Sequence, residues 1–213
     1  MKAPNGLFGI VTGKLGKIIA SMWKGIPYFK AAPEVPQKGK RSLAQQAHTG
    51  KFSFVGKLLV PFHPYLNVGF KNLAINTTEI SVAFSIAFRN AITGVYPNLD
   101  VDYSKIEISR GDLPMMEGVF MESLSPDILK ISWRQNASRK AHFDDQLMMV
   151  VYCPELKKCD GFFGGTRRSE GECIFQYNSR FAGKVVEVYL SVTSSNQKKI
   201  SNSLYVGRIT PQI

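Results

Sequence analysis

Any chemistry in this chain has to come from three histidines, three cysteines and a few close acidic pairs. His48 and His63 have no carboxylate at a spacing that would build a zinc site or a general base. Cys153, Cys159 and Cys173 are odd in number and lack paired CxxC spacing. They read as reduced thiols, not as a disulfide framework or a metal centre. Gly13-Lys14 invites comparison with a phosphate loop, but Phe8 stands where the first glycine belongs and Leu15 replaces the magnesium-binding hydroxyl. Asp144-Asp145 reads as a solvated turn before a strand, and Asp100 with Asp102 as acids alternating on an exposed strand. There is no GxSxG elbow, HExxH pair or cysteine-protease signature. The chain is therefore expected to be a non-enzyme, with no catalytic residue, metal or cofactor.

Charge is more informative. The 213 residues carry a formal net charge of +11, with 44% hydrophobic and 20% charged residues, a composition that excludes global disorder. Nearly all the excess lies at the start. Residues 1–75 hold Lys2, Lys14, Lys17, Lys24, Lys30, Lys38, Lys40, Arg41, Lys51, Lys57 and Lys71 against Glu34 alone. Such asymmetry points to an anionic partner or to docking on an acidic surface. Within 6–33 the lysines are interleaved with Trp23, Tyr28 and Phe29. Lys14, Lys17, Lys24, Lys30, Lys38, Lys40, Arg41, Trp23 and Tyr28 are thus the candidate contacts to an anionic partner.

The elements that must position these residues fall in three groups. Glycines at 6, 9, 13, 16 and 25 break residues 6–33 into short β-segments, with turns at 12–16 and 25–27. A proline-broken linker, 34–41, follows. Ser42, with Gln45 three residues on, predicts a helix running to Val60, bent or split into two pieces at Gly50. Pro64 starts a shorter one, and Thr77 or Thr78 caps a third that reaches Ile92, with Gly94 at its far end. From Val101 the pattern becomes β. Strands are expected at 101–103, 105–109, 118–122, 128–133, 146–153, 173–175, 185–193 and 203–209, a run that suggests a sandwich. GFFGGTRR, 161–168, reads as a hairpin tip whose Phe162, Phe163, Arg167 and Arg168 form a candidate contact loop. The fold class expected is α+β, with a basic region over 1–100 and an antiparallel β-sandwich over 101–213.

Two resemblances sharpen this picture. ILKISW ending at Trp133, QLMMVVYCPE and VVEVYLSVTSSNQKKISNSLYVG resemble the second strand, third strand and closing hairpin of a fibronectin type III or immunoglobulin-like module over residues 115–210. Over nearly the whole length, GKLGKIIASMWKGIPYFK, RSLAQQAHTGKF, GFKNLAI, NAITGVYP, DYSKIEISRGDLP and SNSLYVG resemble a bacterial family of unknown function associated with the Bacteroidota. That resemblance implies one evolutionary unit and supplies no substrate.

The N-terminus lacks an apolar signal core and no run is long enough to span a membrane, which predicts a cytoplasmic protein. The expected function is structural or assembly work, with the basic, aromatic N-terminal region engaging a protein partner or a second copy. The alternatives are nucleic-acid binding through residues 1–75 and glycan or protein recognition by the sandwich loops.

Overall fold

The computed structural model describes residues 10–34, 41–135 and 138–210. The chain forms two compact units, Met1–Ser42 and Leu43–Ile213.

In the first unit, β1 (Gly13–Leu15), β2 (Ile18–Trp23) and β3 (Ile26–Ala31) form an antiparallel sheet in the order β1-β2-β3. The turns are tighter than expected. Gly16-Lys17 joins β1 to β2, and Lys24-Gly25 joins β2 to β3. Lys24 at φ 47 and Gly25 at φ 82 give the two positive dihedrals of a type I′ hairpin, whose twist matches that of its strands. Pro27 is therefore inside β3 and not in a turn. It is tolerated because β3 is an edge strand.

The second unit opens on α1 (Leu43–Leu59), a single unbroken helix and not two pieces divided at Gly50. Gly50 answers to packing instead, since a Cβ there would overlap the ring of Tyr96. A 3-10 turn at Val60–Phe62 carries Pro61 into α2 (His63–Gly69). Thr78 then caps α3 (Glu79–Asn90), its Oγ1 accepting from the Ser81 N–H at 3.2 Å. α3 stops two residues short of the expected Ile92. Ile92–Val95 (β4) and Asn98–Val101 (β5) form a hairpin, and Gly94 sits in it at φ 76.

Seven strands follow: β6 (Glu117–Ser125), β7 (Ile128–Arg134), β8 (Gln146–Cys153), β9 (Lys158–Arg167), β10 (Glu172–Gln176), β11 (Val186–Thr193) and β12 (Leu204–Ile209). They build two antiparallel sheets, β10-β7-β6 and β12-β11-β8-β9. Leu129, Ile131 and Trp133 of β7 share a buried layer with Leu147, Met149 and Val151 of β8 and with Val188 and Leu190 of β11. On the opposite face, Met148, Val150, Tyr152 and Tyr189 pack with Phe62, Leu66, Phe70, Ala83 and Ala87 of the helical segment. β8 and β11 are thus covered on both sides. This is why LMMVVYC is apolar without interruption, where a half-exposed strand would alternate. The unit is α+β, with one long helix, shorter ones and antiparallel sheets.

The strands expected at 101–103 and 105–109 do not form. β5 ends at Val101 and a 3-10 turn takes Tyr103–Lys105. Ile106 and Ile108 do alternate inward, but their segment is tied by hydroxyls and by isolated backbone bonds, such as the Ser203 N–H to the Ser109 carbonyl at 3.0 Å, instead of a ladder. The Ile108 N–H donates to Ser203 Oγ at 3.1 Å, and Ser109 Oγ donates to the Ser201 carbonyl at 2.9 Å.

Candidate partner-binding site

The register of the N-terminal sheet sorts its side chains onto two unlike faces. Ala20 lies between Gly13 and Phe29, Ile18 between Leu15 and Ala31, and Met22 opposite Pro27. Directly opposed residues share a face. One face is therefore Gly13, Leu15, Ile18, Ala20, Met22, Pro27, Phe29 and Ala31, with no charged or hydrogen-bonding side chain. Ala20 is buried, but Leu15 is 61% exposed, Ile18 52%, Met22 47% and Phe29 68%.

The other face carries the candidates. Ile19 lies between Lys14 and Lys30, Ser21 opposite Tyr28, and Trp23 opposite Ile26. Lys14, Lys30, Trp23 and Tyr28 are thereby brought to one surface. Trp23 and Tyr28 are diagonal neighbours across β2 and β3, and with Ile26 they line a shallow cavity of about 290 Å³. Lys17 and Lys24 occupy the turns at opposite ends of β2, the Lys24 Nζ lying 5.3 Å from the centre of the Trp23 ring. Arg41 is exposed just before α1. Lys38 and Lys40 lie outside the described residues, as do Gly6 and Gly9 of the expected β-segment and most of the expected linker. Ile26 was missed as a site residue. The Lys24-Gly25 pair was the signal that would have fixed its register.

The second candidate set is not a loop. Phe162, Phe163 and Arg167 belong to β9, and Arg168 opens the 3-10 turn after it. Phe162 packs on Phe175 at 5.2 Å and Phe163 stacks on Tyr65 at 4.8 Å, so both rings are committed within the unit. Arg168 is buried. Its Nε donates to Asp145 Oδ2 at 3.1 Å and its Nη2 to the Pro114 carbonyl at 2.6 Å. Asp145 is consequently not in a solvated turn, at 1% exposed, whereas Asp144 accepts a hydrogen bond from Ser195 Oγ at 2.9 Å.

The other buried carboxylate among the described residues is paired as well. Glu187 is fully buried, where it accepts from Tyr205 Oη at 2.7 Å and Arg208 Nε at 2.8 Å. Burial pushes the Cys159 thiol up, and Asp160 adds to it; burial likewise raises Cys173. Thiols shifted in that direction are poor nucleophiles at neutral pH. Among the described residues, no group of three or more His, Cys, Asp or Glu side chains converges to hold a metal ion. No helix among them is long and apolar enough to cross a membrane.

Burial also raises Tyr65, Tyr152 and Tyr189, and burial with the Glu187 contact pushes Tyr205 up to about 12. A phenol whose pKa is higher folded than unfolded contributes stability that is complete below the unfolded value. That stability is lost as pH climbs through the folded one. Stability is therefore expected to fall above about pH 9, as the unfolded chain gives up first the Cys159 and Cys173 thiol protons and then, from about pH 10, its phenolic protons. Urea titrations at a series of alkaline pH values check this. A Tyr205→Phe variant should lose less stability than the wild type between about pH 10 and the Tyr205 value.

Residues 10–207 match the model of a family of unknown function, DUF6266. No curated protein matches the chain.

Proposed function

We propose that this chain, which belongs to the DUF6266 family of unknown function, is a non-enzymatic assembly or interaction protein. Its N-terminal sheet is the element that engages a partner. The observation that carries the reading is the uncharged face of that sheet. A sheet face built of apolar side chains and open to water is the mark of an interaction surface. Here Leu15, Ile18, Met22 and Phe29 remain substantially exposed. The occupant of that face is a protein surface, a second copy of the chain being the simplest.

Leu43–Ile213 then serves as the scaffold. Trp133 on the second of its seven strands after β5, β8 as the third and β11–β12 as the closing hairpin support reading 115–210 as a fibronectin type III-like sandwich. The raised thiols and the paired interior charges support a scaffold without catalytic duty.

Light scattering on the full chain tests the proposal. The wild type is expected to give an oligomeric mass, and Leu15→Lys with Phe29→Lys together to give the monomer while keeping the wild-type circular dichroism. A wild-type monomer whose residues 13–31 already resist proteolysis contradicts it.

A further inference from the structure

We infer that the opposite face of the N-terminal sheet binds single-stranded nucleic acid, with Trp23 and Tyr28 as stacking platforms and Lys14 and Lys30 as phosphate contacts. This rests on the reading that the sheet is a binding element and adds the class of its ligand. Four observations favour that ligand over other polyanions. First, the aromatic rings and two lysine side chains coincide on one face, fixed by the pairing of Ile19 with Lys14 and Lys30 and of Ser21 with Tyr28. Second, Trp23 at 41% and Tyr28 at 39% are exposed enough to offer a ring, and the shallow cavity they line with Ile26 has the open form a base needs. Third, residues 10–33 contain Lys14, Lys17, Lys24 and Lys30 and no carboxylate to repel a phosphate. Fourth, Leu15, Ile18, Met22 and Phe29 lie on the other face, leaving Ile19 and Ile26 as the aliphatic side chains on the face of Lys14 and Lys30.

Anionic lipid would take up the larger apolar face, Leu15, Ile18, Met22 and Phe29, and leave Trp23 and Tyr28 on the side away from it. An acidic protein would use the lysines but has no need of paired rings beside them. A single strand uses both: its phosphates meet the lysines while successive bases, splayed out, stack on rings carried by diagonal neighbours across two strands, positions roughly 7–8 Å apart in a sheet. A duplex hides its base faces and leaves the rings idle. Binding by this face is sequence-tolerant, since every base presents a π-face.

The test uses the full chain and a labelled oligothymidylate about a dozen nucleotides long, followed by anisotropy at several salt concentrations. The expected result is tight binding at low salt that weakens steeply as salt rises. Trp23→Ala with Tyr28→Ala should weaken it by about 10-fold or more. Lys14→Gln with Lys30→Gln should reduce the slope of log affinity against log salt by about 1.4. Parallel arms offer the same-length duplex, phosphatidylserine vesicles and polyglutamate. Preference for the single strand over all three supports the inference. Equal or better binding of vesicles or polyglutamate overturns it, as does an aromatic double variant that binds like wild type. Light scattering of each variant separates this outcome from the assembly reading. Loss of oligonucleotide binding with the oligomeric mass intact concerns this face alone, and absence of binding in a wild type that still assembles defeats only the ligand inference.

Discussion

Replacing Arg168 with methionine is expected to lower the free energy of unfolding by about 3–5 kcal/mol, the largest effect of any single change considered for Leu43–Ile213. The guanidinium and the Asp145 carboxylate are 3% and 1% exposed, so water cannot take over from either. Asp145 Oδ2 accepts from Arg168 Nε at 3.1 Å and from the His142 N–H at 2.9 Å, while Oδ1 is buried with no hydrogen-bond partner among the described residues. Methionine fills similar space but leaves the carboxylate with one neutral donor. It also removes the donor to the Pro114 carbonyl. Converting Asp145 to asparagine in the same chain should return part of the loss, because the uncompensated charge is the main cost. Urea unfolding at neutral pH measures both. An Arg168→Met chain within 1 kcal/mol of wild type would mean that water reaches Asp145 and that the pair is not a structural clamp.

Gly69→Ala is expected to cost about 3 kcal/mol, for a steric reason. Gly69 closes α2 and faces the extended segment before β6. A Cβ there would overlap the Ile108 carbonyl oxygen and lie 2.9 Å from Ser109 Cα, and backbone cannot rotate away as a side chain can. The same contact is used productively, since Arg110 N–H donates to the Gly69 carbonyl at 3.1 Å. Gly56→Ala is the matched control. It also lies in a helix, but a Cβ there meets nothing closer than Phe84 at 4.0 Å. Helix propensity alone should then raise stability by about 0.5–1 kcal/mol. Thermal unfolding of the two variants should move in opposite directions; a shift of the same sign and size would remove the steric argument.

Most strands of the second unit are readable because their neighbours impose a simple pattern. β8, covered on both faces, leaves a continuous apolar run, and Thr78 marks the start of α3 by its own hydroxyl. β9 is not readable. Gly161, Gly164 and Gly165 all take positive φ, and the register against β8 shifts between Gln146 and Met148, so the period of two is broken where Phe162 and Phe163 invite a turn reading. The buried state of Asp145 is equally hidden. Nothing about two adjacent acids reveals an arginine more than twenty residues later in the chain. The segment at 105–109 shows the converse failure. Its alternation reports burial of Ile106 and Ile108 truly, but burial does not require a strand when Ser203 and Ser201 satisfy the backbone and hydroxyl groups.

The N-terminal site was half legible. Its lysines and aromatics are visible in the sequence, but which of them share a surface depends on where two-residue turns fall. Shifting a turn by one residue exchanges the faces. With the turns at Gly16-Lys17 and Lys24-Gly25, all the uncharged apolar residues of β2 except Ile19 and Trp23 go to one side. That separation gives the sheet two unlike faces, one without any charged side chain and one that carries Lys14 and Lys30.

The molar mass of the full chain in solution tests the proposed assembly most directly, measured by light scattering over a range of protein concentrations. The account predicts an assembly larger than the 23.7 kDa chain, dispersed to single chains by lysine at positions 15 and 29. A single-chain mass at every concentration, unchanged by those two substitutions and with residues 13–31 already resistant to protease, would contradict it.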